Sequence, residues 1–485
     1  MTSPPSPDPP LAATVSRAGL WLGPALFALL LVLPPPGGLE PEAWRVAAVG
    51  GLMALWWVTE AAPLAVTALL PLLLFPLLGV RGVEAAAAPF ADPVVFLFMG
   101  GFMLALAMQR WGLHTRIALT ILRFTGTRPA GIVGGFMLAT AFISLWVNNT
   151  ATVLMMLPIA LSVVEVAERC HADEPRLPPA LLLGLVYAAA IGGLGTLIGT
   201  PPNALLAGFL GDAYGVEIGF LRWMLVGVPL VVVLLPLSWL LLTRVLLPLG
   251  RTPITTGAGL LDEQARALGR ITRPEVIVAA VFLLTDALWI ARPWTGRALP
   301  GLTDAGIALG GAVLLFILPA HRGSPERVLD WPTASRLPWE VLLLFGGGLS
   351  LADAIADSGL AAAMGRGMEG LGALPPLAIA VAVAALLVAL SEVASNTAAA
   401  VTFLPVIASL AVAIGQGPVG LAVVATLAAS GGFVLPVASP PNAIVYGTGR
   451  VTMAQMVRGG LVMDALFALV LPPLAWVLVR LAFPG

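Results

Sequence analysis

Long apolar runs, many of them interrupted rather than ended by polar residues, dominate this chain. They lie at roughly 18–33, 42–58, 62–80, 93–109, 131–165, 178–210, 221–247, 275–291, 303–319, 338–355, 376–412, 418–447 and 459–482. A span needs about 20 residues, so the pattern predicts an all-α polytopic membrane protein with about 11 transmembrane helices and two hairpins. The interruptions matter most. In "SLWVNNTATVLMMLP" (144–158), Asn148, Asn149 and Thr150 sit side by side where Leu or Ala would do. An unpaired amide or hydroxyl in hydrocarbon costs several kcal/mol, so polar clusters at membrane depth point to function.

The pattern also repeats. "LFMGGFMLALAMQRWGL" (97–113) aligns without a gap on "LFGGGLSLADAIADSGL" (344–360), an offset of 247. The same offset carries Ser144 onto Ser391, Asn149–Thr150 onto Asn396–Thr397 and Pro158 onto Pro405. "GTPPNA" (199–204) matches "ASPPNA" (438–443) at an offset of 239. The chain is a duplication. Each half holds a hairpin (131–165 or 376–412) and a helix broken at Gly-Thr-Pro-Pro-Asn or Ala-Ser-Pro-Pro-Asn (178–210 or 418–447). The expected organisation is a disordered cytoplasmic tail over 1–17, a first half over 18–247, a cytoplasmic amphipathic connector over 248–274 and a second half over 275–485.

Composition sharpens this. The 485 residues are 59% hydrophobic and 10% charged, with mean hydropathy +0.99, where soluble domains carry about 25% charged residues. All 24 basic residues are arginine. With a cytoplasmic N-terminus and hairpins that enter and leave on one side, seventeen of them fall inside. Residues 110–128 then carry four arginines inside, while the matching 357–375 carry only Arg366, outside. The two halves are therefore expected to be inverted repeats, the architecture of secondary transporters with a midplane site. A single cysteine, Cys170, excludes an internal disulfide, and His114, His171 and His321 lack metal-ligand spacing.

Proline removes a backbone donor and disfavours helix just before it, so the Pro-Pro positions predict unwound backbone, tolerated at membrane depth only where it is buried or lines a cavity. Freed carbonyls with Ser, Thr and Asn oxygens suit a monovalent cation such as sodium. Helix N-termini starting at Asn149–Thr150 and Asn396–Thr397 suit an anion. No basic residue lies in 177–221 or 367–449, or between Pro129 and Glu165. A bound anion must therefore be neutralised by helix ends and co-bound cations, the logic of symport. Asn and Thr could instead only cap the second helix of each hairpin, but two symmetric clusters, each paired with a Pro-Pro break, favour a site. Glu392 reads as a hydrogen-bonded structural acid because the matching Leu145 is apolar, and Glu60 as a structural residue at a cytoplasmic helix junction. The Gly pairs at 100–101 and 347–348 read as close helix packing. No buried nucleophile–base pair suggests an enzyme, and inverted hairpins argue for alternating access rather than an open channel.

The Asn-Thr tips, the two Pro-Pro-Asn breaks, "WWVTEAAPLAVTALLP" (56–71) and "ASGGFVLPVASPPNAIV" (429–445) together resemble the divalent anion/sodium symporter family, over nearly the whole chain. The resemblance implies a homodimer in the cell's inner membrane, an elevator mechanism, no cofactor beyond sodium as coupling ion, and a di- or tricarboxylate or sulfate as substrate, with C4-dicarboxylates favoured by Thr at both tips. Carried over by position, it implies one sodium site at Ser144, Asn148, Asn149 and Gly199 and another at Ser391, Ser395, Asn396 and Ala438. The substrate would meet Asn149, Thr150, Thr200 and Pro201 from one half, and Ser395, Asn396, Thr397, Ser439 and Pro440 from the other. One departure is the first tip, Asn-Asn-Thr where the family usually has Ser-Asn-Thr, which bears on the first cation site. A sodium-independent exchanger is the alternative, as are citrate or sulfate as cargo.

Overall fold

The computed structural model describes residues 10–37, 39–169, 174–253, 263–295 and 299–483. The first nine residues of the expected tail, Cys170, His171 and positions 254–262 of the expected connector lie outside the described residues. The first helix, Pro10–Val32, starts ahead of the apolar run at 18 and so takes in part of the expected tail. Among the described residues the regular elements are helices, apart from one isolated bridge between Pro319 and Arg327. Eight helices there are long and apolar enough to cross a bilayer, and six further apolar helices are shorter. The protein is an all-helical, polytopic membrane protein.

The short helices are where the chain departs from simple spanning. Pro129–Ser144 and Pro376–Ser391 have 16 residues each. At 1.5 Å per residue each is about 24 Å long, less than the ~30 Å hydrocarbon core. Each is followed by a four-residue turn and a longer helix, Asn149–Arg169 or Asn396–Ala413. The next helix of each half then stops and restarts. Leu177–Gly193 gives way to irregular backbone and resumes as Pro201–Tyr214; Pro418–Ala429 does so and resumes as Pro440–Tyr446. Both resumptions begin on the Pro-Pro pair, which fits the first turn of a helix because its missing N–H has no partner to lose there.

Packing interlocks the halves. Pro201–Tyr214 of the first half lies on Pro418–Ala429 and Asn396–Ala413 of the second, while Pro440–Tyr446 lies on Asn149–Arg169 and Leu177–Gly193. Arg450, just beyond the second broken helix, forms an ion pair with Glu168 at the end of the first tip's helix. One glycine of each Gly pair sits at a backbone-to-backbone approach: a Cβ on Gly100 would lie 2.6 Å from the Ala308 carbonyl carbon, and one on Gly347 2.1 Å from the Ala68 carbonyl oxygen. Arg116 closes the joint between the halves, with Nε 2.7 Å from Glu275 and a bond to the Gly269 carbonyl.

Candidate functional site

The first tip is built from a serine, an asparagine and a broken helix. Ser144, the last residue of its helix and fully buried, has Oγ 2.8 Å from the Ala189 carbonyl oxygen and 2.9 Å from Asn149 Oδ1, its one hydroxyl proton being shared between the two acceptors. The backbone across the break is folded tightly against that oxygen. A Cβ on Gly193 would lie 2.6 Å from Asn149 Oδ1 and 3.3 Å from the Gly199 carbonyl oxygen. Ser144, Asn149 and Gly199 thus come together at one point. Asn148 stands slightly apart. Its Oδ1 accepts from Ala151 N at 2.9 Å and its carbonyl from Thr152 N at 3.0 Å, so it caps the Asn149–Arg169 helix. Thr196 joins tip to break: its hydroxyl donates to the Leu145 carbonyl and accepts from Gly199 N at 3.1 Å.

The second tip has the same plan with different bonds. Ser391 Oγ, again fully buried, donates to the Ala429 carbonyl at 2.9 Å. Asn396 donates through Nδ2 to the Ser430 carbonyl at 3.3 Å, while its Oδ1 is buried with no partner among the described residues. A buried acceptor without a donor costs about 1–3 kcal/mol, and a cation would satisfy it. Ala438 is buried in the one-turn helix Pro436–Ala438, next to Ser439, whose hydroxyl accepts from Asn442 N at 3.4 Å.

A cavity of about 680 Å³ lies where the two tips and two breaks meet. Its wall contains all nine positions carried over for the substrate: Asn149, Thr150, Thr200, Pro201, Ser395, Asn396, Thr397, Ser439 and Pro440. Asn148 and Ala438 also line it, whereas Ser144, Gly199 and Ser391 lie behind the wall. Residues of other elements complete the wall, among them Phe102, Leu344, Glu340 and Glu60. Glu60 caps the Pro41–Thr59 helix in the left-handed region (φ 47°), unusual for a side-chain-bearing residue, and its carbonyl accepts from Ser16. None of the lining side chains is basic.

The sequence model of the family described as "Sodium:sulfate symporter transmembrane region" matches residues 16–480. The chain belongs to that family. The sodium-dependent dicarboxylate transporter SdcS of Staphylococcus saprophyticus is 42% identical over 473 residues, covering 95% of this chain and 91% of that protein. SdcS of Staphylococcus aureus is 40% identical over 463 residues, covering 93% and 89%. Among solved structures, the YdaH transporter of Alcanivorax borkumensis, described as having an unusual topology, shares the fold with TM-score 0.58 and 18% identity over 98% of both chains. This member of the sodium:sulfate symporter family is thus a transporter, not an enzyme.

In this symporter-family chain, several site residues escape a reading of the tips alone. Asn203 and Asn442, third in each Pro-Pro-Asn, are fully buried and brace the breaks. Asn203 Nδ2 donates to the carbonyls of Gly193 (2.9 Å) and Thr196 (2.8 Å); Asn442 Nδ2 donates to those of Gly432 (3.0 Å) and Leu435 (2.9 Å). Their repetition in both halves was the signal. Ser430, in the cavity wall, has a buried hydroxyl without a partner among the described residues, and only its place inside "ASGGF" hints at it. Glu392 accepts from Val434 N (2.8 Å) and Leu435 N (2.9 Å), holding the second break.

Proposed function

We propose that this protein imports C4-dicarboxylates such as succinate, malate and fumarate in symport with sodium. The substrate would sit in the cavity between the tips, and the sodium ions at Ser144, Asn148, Asn149 and Gly199 and at Ser391, Ser395, Asn396 and Ala438. The observation that carries this reading is a cavity walled by two helix N-termini, freed carbonyls and amide oxygens, with no basic side chain. A dianion there gains from the helix ends but still needs co-bound cations to approach neutrality. Two relatives named as sodium-dependent dicarboxylate transporters, aligned over more than nine-tenths of this chain, support the choice of cargo and coupling ion.

The tips and broken helices, interlocked across the halves, would move as one body against the remaining helices of each repeat. In this reading the protein is a homodimer in the inner membrane with its N-terminus in the cytoplasm. Two sodium ions neutralise a dicarboxylate, and each further one makes transport sense the membrane potential by about 2.3 kcal/mol per 100 mV. Uptake of labelled succinate into proteoliposomes tests the proposal: it should need external sodium and rise cooperatively with it. Equal uptake in choline or potassium buffer, stimulated by internal dicarboxylate, would establish a sodium-independent exchanger instead. Citrate and sulfate, offered in parallel, should be taken up more slowly than succinate.

A further inference from the structure

The tip serines of the two halves make the same bond, and the residue that follows the bonded carbonyl differs by one oxygen. Ser144 Oγ lies 2.8 Å from the Ala189 carbonyl oxygen, and Ser391 Oγ lies 2.9 Å from that of Ala429. The next residue is Ala190 in the first half and Ser430 in the second. Both belong to the cavity wall. Where one half has a methyl group, the other therefore has a hydroxyl.

That hydroxyl has nothing to do within the fold. A serine in a helix commonly bonds back to the carbonyl of the preceding turn, as Ser162 does to Pro158 at 2.9 Å and Ser409 to Pro405 at 2.7 Å. Ser430, which caps the end of Pro418–Ala429, makes no such bond. Among the described residues several buried hydroxyls lack a partner, and Ser430's is the one that belongs to the cavity wall.

Asn396 supplies the missing half of the picture. Its Nδ2 lies 3.3 Å from the Ser430 carbonyl oxygen, so Ser391 and Asn396 grip consecutive carbonyls, those of 429 and 430. A carbonyl accepts only from the amide nitrogen, and this contact settles which way round the Asn396 amide sits. Its Oδ1 is left buried and unpartnered. In the first half the matching oxygen, Asn149 Oδ1, already shares the Ser144 proton. Two touching residues of the second half thus hold two buried oxygens, Ser430 Oγ and Asn396 Oδ1, that do not bond to each other. Polar groups farther along the break are engaged: Asp464 Oδ1 accepts from Phe433 N at 3.3 Å, and Glu392 from Val434 N and Leu435 N. An amide oxygen only accepts, so a carboxylate with no proton to give cannot satisfy it. A cation satisfies both oxygens at once.

We propose that Ser430 is a ligand of the second cation site: its hydroxyl oxygen joins Asn396 Oδ1 on the sodium ion, while its carbonyl orients that amide. This deepens the two-site sodium reading and rests on it. In this assignment the serine touches the coupling ion and not the dicarboxylate, and the first site, with Ala190 at this place, has one oxygen fewer.

Equilibrium binding of radioactive sodium to the purified full-length protein, without dicarboxylate, tests the assignment. Ser430→Ala removes an oxygen that bonds to nothing among the described residues, so its unfolding temperature without sodium should match the parent's. The parent should bind two sodium ions, and in Ser430→Ala one of them should bind about tenfold more weakly. Ser430→Cys, which keeps the size but offers a soft sulfur, should do the same. Asn396→Ala should weaken that same ion, and the double change Asn396→Ala with Ser430→Ala should leave the other ion bound as in the parent. Parental sodium affinity in both Ser430 variants would overturn the assignment. So would parental sodium binding in Ser430→Ala with weakened binding of succinate at saturating sodium, which would give the hydroxyl to the cargo. If Asn149→Ala and Asn396→Ala both leave sodium binding unaltered, the two-site reading falls, and this inference with it.

Discussion

Asn203 and Asn442 hold the two chain breaks by the same pair of bonds, each spending both amide hydrogens on the carbonyls ten and seven residues before it. A helix that stops inside a membrane protein leaves carbonyls without donors, and a single side chain here supplies two. Asn203→Asp or Asn442→Asp keeps the shape, removes the donors and sets a carboxyl against two carbonyls. Each should lower stability by about 1–3 kcal/mol per break, read as a lower unfolding temperature in detergent, and transport should fall with it. An unchanged unfolding temperature in both would show that the bonds brace nothing.

Asn149→Ala and Asn396→Ala should behave differently from the brace variants. Both residues open tip helices at the cavity wall, and Asn396 gives the second break one side-chain bond, to the Ser430 carbonyl, against the two from each buried brace. Uptake of succinate should be abolished in each, with elution profile and unfolding temperature close to those of the parent. Parental uptake rates in either variant would remove that residue from the site.

Gly199 has no room for a side chain. A Cβ there would lie 2.6 Å from the Gly193 carbonyl oxygen and 3.0 Å from Gly193 Cα, both backbone atoms that cannot swing away. Gly199→Ala should therefore push the two sides of the break apart, cost about 1–3 kcal/mol of stability and abolish transport. Gly211, on the resumed helix, has nothing within 4 Å of its Cβ position, so Gly211→Ala is the matched control and should transport normally.

The proposed movement passes through the contact between the resumed helix Pro201–Tyr214 and the span Trp339–Asp357. Gly208 faces Leu349 there, with a Cβ position 3.3 Å from the leucine methyls. Cysteines at 208 and 349, after replacement of Cys170, should crosslink in the conformation described, stop transport, and release it again on reduction. Full-rate transport by crosslinked protein would disprove the elevator.

Much of the architecture was legible in the sequence because hydrocarbon is an intolerant solvent. Asn148–Thr150 and Pro201–Pro202 could not stand in apolar runs without a structural reason, and the offsets of 247 and 239 doubled each signal. The cavity gathers the positions those motifs named because tip and break are adjacent in the fold. What the sequence hid depends on contacts between distant helices. Glu392 lacks a counterpart in the first half, so the repeat argued only that it was dispensable there, and Asp464 lies in an apolar run with no motif around it. That they hold consecutive amides of one segment follows from packing of Met453–Leu469 on Pro376–Ser391, which no local spacing encodes. The sequence named Asn148 for its place in the tip, but not that its side chain also caps the helix that follows it.

The interlocking of the halves also sets a timetable for synthesis. Pro201–Tyr214 rests on Pro418–Ala429, so the first broken helix leaves the ribosome more than 200 residues before the helix that covers it. At about 5–20 residues per second, the first broken helix at Pro201–Tyr214 waits some 10–45 s in the bilayer half-built. During that interval its amides and carbonyls can be satisfied only by water, lipid headgroups or the insertion machinery. Neither half is therefore a folding unit in its own right, and a chain cut between residues 248 and 274 should yield stable protein only when both pieces are made in the same cell.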